Sequence, residues 1–221
     1  MNNPTLTRTR RTVCTVLAAA ALAAGLSACA PLIVGGAVVG GVMAVDRRTT
    51  GTQIEDEGIE LRAANRIRET LGDRVHVNVT SYNRQALLTG EVPNAQDRQT
   101  VEQIVSQVEN TRSVVNDLAV APNTTLGQRS NDTFITGKVR ASLVDAQDIS
   151  ANSFKVVTER NIVYLMGRVS QREANRATEI ARGVSDVRKV VRVFEIVSEE
   201  ELRRIAPQPA PVTTDTQPAG G

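Results

Sequence analysis

Two cysteines and one histidine are the side chains here best suited to covalent or metal chemistry, and their placement excludes most of it. His76 stands alone, flanked by Val75 and Val77 in an alternating segment, so it is expected to point to solvent from a half-buried strand. No serine has a histidine placed to activate it, and a single histidine without a cluster of partners falls short of a metal site. Carboxylates such as Glu57 and Glu60 suit a solvated helix face, and no glycine-rich loop follows a strand to cradle a phosphate. The expectation is therefore no catalytic residue, no metal, no dissociable cofactor and no enzyme. What the chain does offer is Cys29, directly after Leu26-Ser27-Ala28. Upstream lie Arg8, Arg10 and Arg11, then an apolar run from Val13 to Ala24 that contains Cys14. A charged start, a short apolar stretch and a small-residue cleavage site make up a secretory signal over residues 1–28.

The Leu26-Ser27-Ala28-Cys29 run resembles the lipobox of bacterial lipoproteins; an ordinary secretory signal with an incidental cysteine is the alternative. The resemblance implies that the Cys29 sulfur carries a diacylglycerol and that the new amino terminus receives a further acyl chain of the palmitate kind. Three chains exceed the two signals that stable anchoring takes, each buried methylene contributing roughly 0.8 kcal/mol. Ala30, where an Asp would stand otherwise, implies sorting to the outer membrane of a Gram-negative cell, with the protein facing the periplasm. Cys14 leaves with the signal, so the mature chain has no pair of thiols to oxidise, although the envelope permits disulfides.

Removing three arginines with the signal turns 26 Lys+Arg against 24 Asp+Glu into 23 against 24, a mature chain close to neutral. Such a balance does not mark a nucleic-acid binder, and three Phe, two Tyr and no Trp offer no stacking platform for single strands. No later run reaches the roughly 18 apolar residues of a membrane span. Residues 29–54 read as the lipidated cysteine and a Gly-rich tether, and residues 201–221 as a disordered Pro/Ala/Thr tail.

Between them lies an internal repeat, about Asp56 to Pro122 and Asp132 to Ser198. Ile59, Ala63 and Ile67 match Ile135, Val139 and Leu143 as helical stripes, each opened by an aspartate; Asp132 is expected to cap its helix. Alternating segments Val75–Val79 and Phe154–Thr158 lead through turns at Tyr82-Asn83-Arg84 and Glu159-Arg160-Asn161 to second strands Ala86–Val92 and Ile162–Val169. A second helix follows in each copy, with Val101, Ile104, Val105 and Val108 matched by Ala177, Ile180, Ala181 and Val184. Closing strands are expected at Val114–Val120 and Val190–Ile196. Each copy reads α-β-β-α-β, an α+β unit of helices on one face of a small three-stranded sheet. At about 67 residues each copy is marginal for one core, so the two are expected to pack together. Gly90 and Gly167 on the second strands read as structural, permitting a close approach or a bulge.

This order of elements, with Gly90 and Gly167 on the second strands and Val114-Val115 and Val190-Val191 on the third, resembles the BON domain family. Val77–Tyr82, Asn131–Arg140 and Val163–Gly167 extend the likeness to outer-membrane lipoproteins with two such domains. The resemblance implies domains at 55–122 and 132–200, a linker at 123–131, and a non-enzymatic protein of the outer membrane's inner leaflet. It further implies binding of anionic phospholipid through the second domain, a place where the cell divides, support of envelope integrity, and a link to the outer-membrane protein insertion complex. Phe134 stands where the resemblance leads one to expect Trp; it keeps an apolar anchor and gives up the indole N–H.

Charge supports a division of labour independently. The first copy has 7 Arg/Lys against 10 Asp/Glu, a net −3, and the second 11 against 8, a net +3. With Ile135, Val139 and Leu143 toward the core, a turn of 100° per residue places Phe134 beside Lys138, and Val144 near Arg140. An aromatic and a valine off the core stripe, with Ala141 between them and two cations beside them, have the makeup of an interfacial contact. Phe134, Lys138, Arg140, Ala141 and Val144 are thus the candidate phospholipid-binding residues. From the residues alone, packing of Phe134 between the two copies is an equal alternative. The alternative function is an adaptor role toward a protein partner, with membrane contact only through the acyl anchor.

Overall fold

The computed structural model describes residues 46–205. The signal, Cys29, the apolar run up to Val45 and the tail from Ala206 lie outside the described residues. The first repeat consists of α1 (Thr50–Leu71), a 3-10 turn (Gly72–Arg74), β1 (His76–Tyr82), β2 (Gln85–Val92), α2 (Ala95–Ser106), β3 (Ser113–Asn116) and β4 (Ala119–Val120). The second consists of α3 (Leu126–Asp145), a 3-10 turn (Ala151–Ser153), β5 (Phe154–Glu159), β6 (Ile162–Val169), α4 (Gln171–Gly183) and β7 (Lys189–Ile196), with α5 (Glu199–Ile205) appended. In each sheet the middle strand pairs antiparallel with the first and parallel with the last. This is the expected α-β-β-α-β arrangement of the α+β class, twice over.

Period-two alternation divides each sheet into two faces. The inner face of the first, with Val77, Val79, Ala86, Leu88 and Val92, packs under Ile59, Ala63 and Ile67 of α1 and Val101 and Val105 of α2. The second repeats this with Val156, Val163, Leu165 and Val169 under Ile135, Val139, Leu143, Ala177 and Ala181. Phe154 and Phe194 close that core edge to face, centroids 6.0 Å apart. The opposite faces meet each other: Tyr82 and Leu87 of one repeat bury against Tyr164, Met166 and Val193 of the other. Two marginal cores are thereby joined through a third.

A polar rim surrounds that third core. Lys155 Nζ donates to Glu60 Oε1 at 2.7 Å, Asn83 Nδ2 to Glu195 Oε2 at 2.6 Å, and Tyr164 Oη to Asp117 Oδ2 at 2.8 Å. Burial, reinforced by Asp117, pushes the Tyr164 phenol well above its usual range. Tyr164→Phe is expected to cost about 1.5–3 kcal/mol, the worth of one hydrogen bond to a charged acceptor, read as a lower urea midpoint.

Several expectations need correction. Asp132 does not cap α3: Thr125 does, in a capping box with Gln128, seven residues earlier. Asp132 lies inside the helix, buried, accepting from the backbone N–H groups of Arg160 and Asn161 at 2.8 Å each. Asp56 does the same inside α1 for Asn83 and Arg84. The apolar stripe starts only where a helix meets its sheet, so both helices begin nine residues ahead of its first member, Ile59 or Ile135. Consequently residues 50–54, read as tether, and 126–131, read as linker, are helical. The segment before α1 is docked as well, with Arg47 forking onto Glu173 at 2.7 and 2.8 Å and Arg48 reaching Asp56 at 2.7 Å. At the other end α5 occupies part of the expected tail and buries Leu202.

The closing strand expected at Val114–Val120 is interrupted at Asp117-Leu118, though β3 and β4 keep one register against β2. The break faces Thr89-Gly90, where Gly90 adopts φ +110°. β7 runs unbroken past Gly167, which has no positive φ. His76 is also not a solvent-facing residue. It does lie on the face opposite the valines, but the second repeat partly covers that face and leaves the imidazole 17 % exposed.

Candidate functional site

α3 presents two unlike sides. Asp132, Ile135, Val139 and Leu143 are buried against the sheet. On the opposite side Phe134, Gly137, Ala141 and Val144 face outward, Phe134 64 % and Val144 68 % exposed. Phe134 therefore does not pack between the repeats. Spacing of three, four and three residues stacks these positions along one strip.

Lys138 lies beside the strip, its Nζ 5.0 Å from the centre of the Phe134 ring. The same ammonium donates to Asp186 Oδ2 and Ser185 Oγ at 2.8 Å and to the Ser185 carbonyl at 3.0 Å. Hydrogen bonding to Lys138 and its charge hold the Asp186 carboxyl below the usual carboxylate range. Lys138 is thus engaged within the domain, pinning the loop after α4 to α3 and stiffening the Phe134 side chain by a cation–π contact. Helix geometry predicts its neighbour Phe134 but gives no sign of Ser185 and Asp186.

Arg140 is exposed and, among the described residues, makes no hydrogen bond or ion pair, so its charge faces outward. It lines a shallow groove with Val144, Leu143, Asn152 and Phe154. A second groove, between α3 and α4, is lined by Lys138, Ala141, Arg176, Ile180 and Val184; Arg176 Nε there pairs with Asp148 at 3.0 Å. All five candidate residues of α3 therefore lie on or beside one outward strip, with Arg140 as its uncommitted cation. The arrangement suits a shallow contact with a surface that is apolar beneath an anionic layer. Cys29, the candidate lipid attachment point, lies outside the described residues.

Comparison with known proteins agrees with the repeat. Residues 56–122 and 131–198 each match the BON domain. The chain is 36 % identical over 172 residues to the outer membrane lipoprotein DolP of Haemophilus influenzae, spanning 77 % of this chain and 89 % of that one. It is 32 % identical over 155 residues to a 21 kDa hemolysin of Actinobacillus pleuropneumoniae, spanning 69 % and 80 %. Among solved structures, the C-terminal domain of CdsD from the Chlamydia trachomatis type III secretion system aligns at 12 % identity with a TM-score of 0.27, over 61 % of this chain and 96 % of that one.

Proposed function

The chain belongs to the BON domain family, and we propose that it serves as a non-enzymatic outer-membrane lipoprotein, anchored through acylated Cys29, whose second domain binds anionic phospholipid in the leaflet facing the periplasm. In this reading it supports envelope integrity where the cell divides. The observation that carries the lipid contact is the outward strip of α3: Phe134, Ala141 and Val144 beside the unpaired Arg140.

The energies are modest and add up through the anchor. A cation near an anionic surface is worth about 1 kcal/mol, and burying the exposed part of a Phe and a Val adds a few more. Such a contact is weak for a free domain. Acyl chains that already hold the domain at the bilayer turn it into an effectively intramolecular event.

Titrating the chain with phosphatidylglycerol micelles, followed by amide chemical shifts, tests the reading. Shifts are expected to concentrate between Phe134 and Val144. Phe134→Ala and Arg140→Glu are each expected to weaken binding about tenfold, and raising salt to weaken it further. Lys138→Ala is expected to act less on lipid than on the loop at Ser185-Asp186. Unchanged binding in a Phe134→Ala, Val144→Ala double variant would refute a lipid contact on α3.

A second reading, an adaptor for a protein partner such as the outer-membrane protein insertion complex, draws on α1. There Ile54 and Leu61, seven residues apart on one side of the helix, are exposed. Silence of α3 toward phospholipid transfers the role to that reading.

A further inference from the structure

The uncovered strip of α3 is not where this molecule gathers its most unusual chemistry. The lone histidine is. His76 on β1 pairs directly across the hairpin with Glu91 on β2, and its Nδ1 lies 2.9 Å from Glu91 Oε2. Both project from the outer face of the first sheet, toward the second domain. Glu159, the last residue of β5, arrives from that domain. One donor atom from each of the three side chains lies within 4.8 Å of the other two.

Burial makes this group unlike an ordinary surface cluster. Glu91 is 0 % exposed and Glu159 is buried as well. The backbone N–H and hydroxyl of Thr124 donate to Glu91 Oε2 at 3.1 and 3.2 Å, and Asn78 Nδ2 donates to Glu159 Oε2 at 2.8 Å. Glu91 Oε1, however, has no hydrogen-bond partner among the described residues although it is fully buried. A buried carboxylate oxygen without a donor carries a desolvation penalty that something should offset. Burial pushes the Glu159 carboxyl up; the Asn78 hydrogen bond opposes this and the Glu91 charge adds to it. Two carboxylates thus share a largely buried corner with one imidazole.

We propose that His76, Glu91 and Glu159 form a Zn2+ site that joins the two domains, with a water molecule in the fourth position. One imidazole and two carboxylates match the donors of an open tetrahedral zinc site. Three side chains are too few for Ca2+, which takes six to eight oxygens, and an imidazole nitrogen suits Zn2+ better than it suits Mg2+. Donors about 2.0–2.1 Å from a tetrahedral ion stand about 3.3 Å apart. The His76–Glu91 pair at 2.9 Å need open by only a few tenths of an ångström. Two carboxylates and a neutral imidazole balance the charge of the ion. Thr124 and Asn78 supply the outer hydrogen bonds that fix the orientation of ligating carboxylates. The cation has a way in, because His76, Asn78 and Glu159 also line an open groove with Arg129, Asp132 and Thr136. Since two ligands come from the first domain and one from the second, the ion holds the domains in register.

The test is calorimetric titration of the full chain in detergent, stripped with a chelator and then given Zn2+ alone. The unsubstituted chain is expected to take up one equivalent and to melt several degrees higher with the ion than without it. His76→Gln is expected to weaken uptake at least about 100-fold and Glu159→Gln at least about tenfold, each lowering the rise in melting temperature in proportion. Substituted with Co2+, the unsubstituted chain is expected to show visible absorption that both variants lack. Glu159→Gln keeps the side-chain volume and removes a carboxyl that burial disfavours, so it serves as the variant that folds if His76→Gln does not. Failure of the unsubstituted chain to bind one equivalent overturns the proposal. So does uptake that survives both substitutions, which would place the ion elsewhere.

Discussion

Replacing Gly90 by alanine is expected to destabilise the protein by about 3–4 kcal/mol, a large part of the 5–15 kcal/mol that a typical domain possesses. Two independent costs combine at this residue. Its φ of +110° lies where a side chain strains the backbone, worth about 1–3 kcal/mol. An added Cβ would also lie 2.1 Å from the carbonyl oxygen of His76. That oxygen belongs to the paired strand and cannot swing aside as a side chain can, so the strands must part or the kink must straighten. Straightening would disturb the point at which β3 gives way to β4. Gly167→Ala is the internal control. There the added Cβ meets the Ser153 carbonyl oxygen at 2.4 Å, with no positive φ. It carries the steric cost alone, about 2 kcal/mol. Urea unfolding of the two variants checks the order: a Gly90→Ala midpoint equal to the parent's, or above that of Gly167→Ala, contradicts this account.

Asp56→Ala is expected to cost about as much, roughly 3–5 kcal/mol, by a different route. The hairpin between β1 and β2 turns through Asn83 and Arg84 at φ 50° and 66°, and that between β5 and β6 through Arg160 and Asn161 at 55° and 62°. Two successive positive φ values usually call for Asn-Gly or Gly-Gly. An arginine pays strain there, and no glycine relieves it. The relief comes from the helix instead: Asp56 accepts from the backbone N–H groups of Asn83 and Arg84 at 2.8 and 2.7 Å, and from Ser81 Oγ and Arg48 Nη1 at 2.7 Å each. Alanine leaves the backbone and hydroxyl donors without their partner and leaves Arg48 with Asp46 alone. Asp132, which serves two backbone donors, is expected to cost about 2–3 kcal/mol on the same substitution.

The pH dependence follows in sign. Burial alone would push the Asp56 carboxyl up; the hydrogen bonds from Ser81, Arg84, Arg48 and Asn83 outweigh it and hold the carboxyl below its ordinary value. Its contribution is therefore complete above the unfolded value of about 3.9 and is lost as pH falls through the lower folded value. The stability gap between parent and Asp56→Ala is expected to be constant from neutral pH to about pH 5 and to shrink below about pH 4. A gap that shrank between pH 8 and 6 instead would assign the effect to another group.

Much of this architecture is legible in the chain itself, because its signals are local. Ile59, Ala63 and Ile67 recur at helical spacing, Val75, Val77 and Val79 alternate, and the whole pattern returns in the second copy. Period fixes element type, and repetition fixes that two like units exist. The same periodicity separates Phe134, Ala141 and Val144 from the Ile135–Val139–Leu143 stripe, so the outward strip of α3 could be found without coordinates. Periodicity does not reach the helix starts, since the turns begun by Thr50 and Leu126 carry no apolar stripe; the one local sign of them is the Thr125-x-x-Gln128 capping pattern ahead of α3.

Parity states which residues share a face of a sheet but is silent on what covers that face. His76 illustrates the limit. Alternation correctly sets it opposite Val77, yet only the docking of the second domain brings Glu159 within 4.8 Å and turns an expected solvent residue into part of a buried cluster. The aspartates are a second case: Asp56 and Asp132 look like helix starts in one dimension, whereas folding carries them to hairpin turns 27 and 28 residues away. Lys138 is a third, since its bonds to Ser185 and Asp186 span a separation of 47 and 48 residues. Local spacing thus determined the elements, the faces and the duplication. Which polar groups meet across those faces was decided by tertiary packing, because burial and pairing depend on segments that no window of the sequence contains.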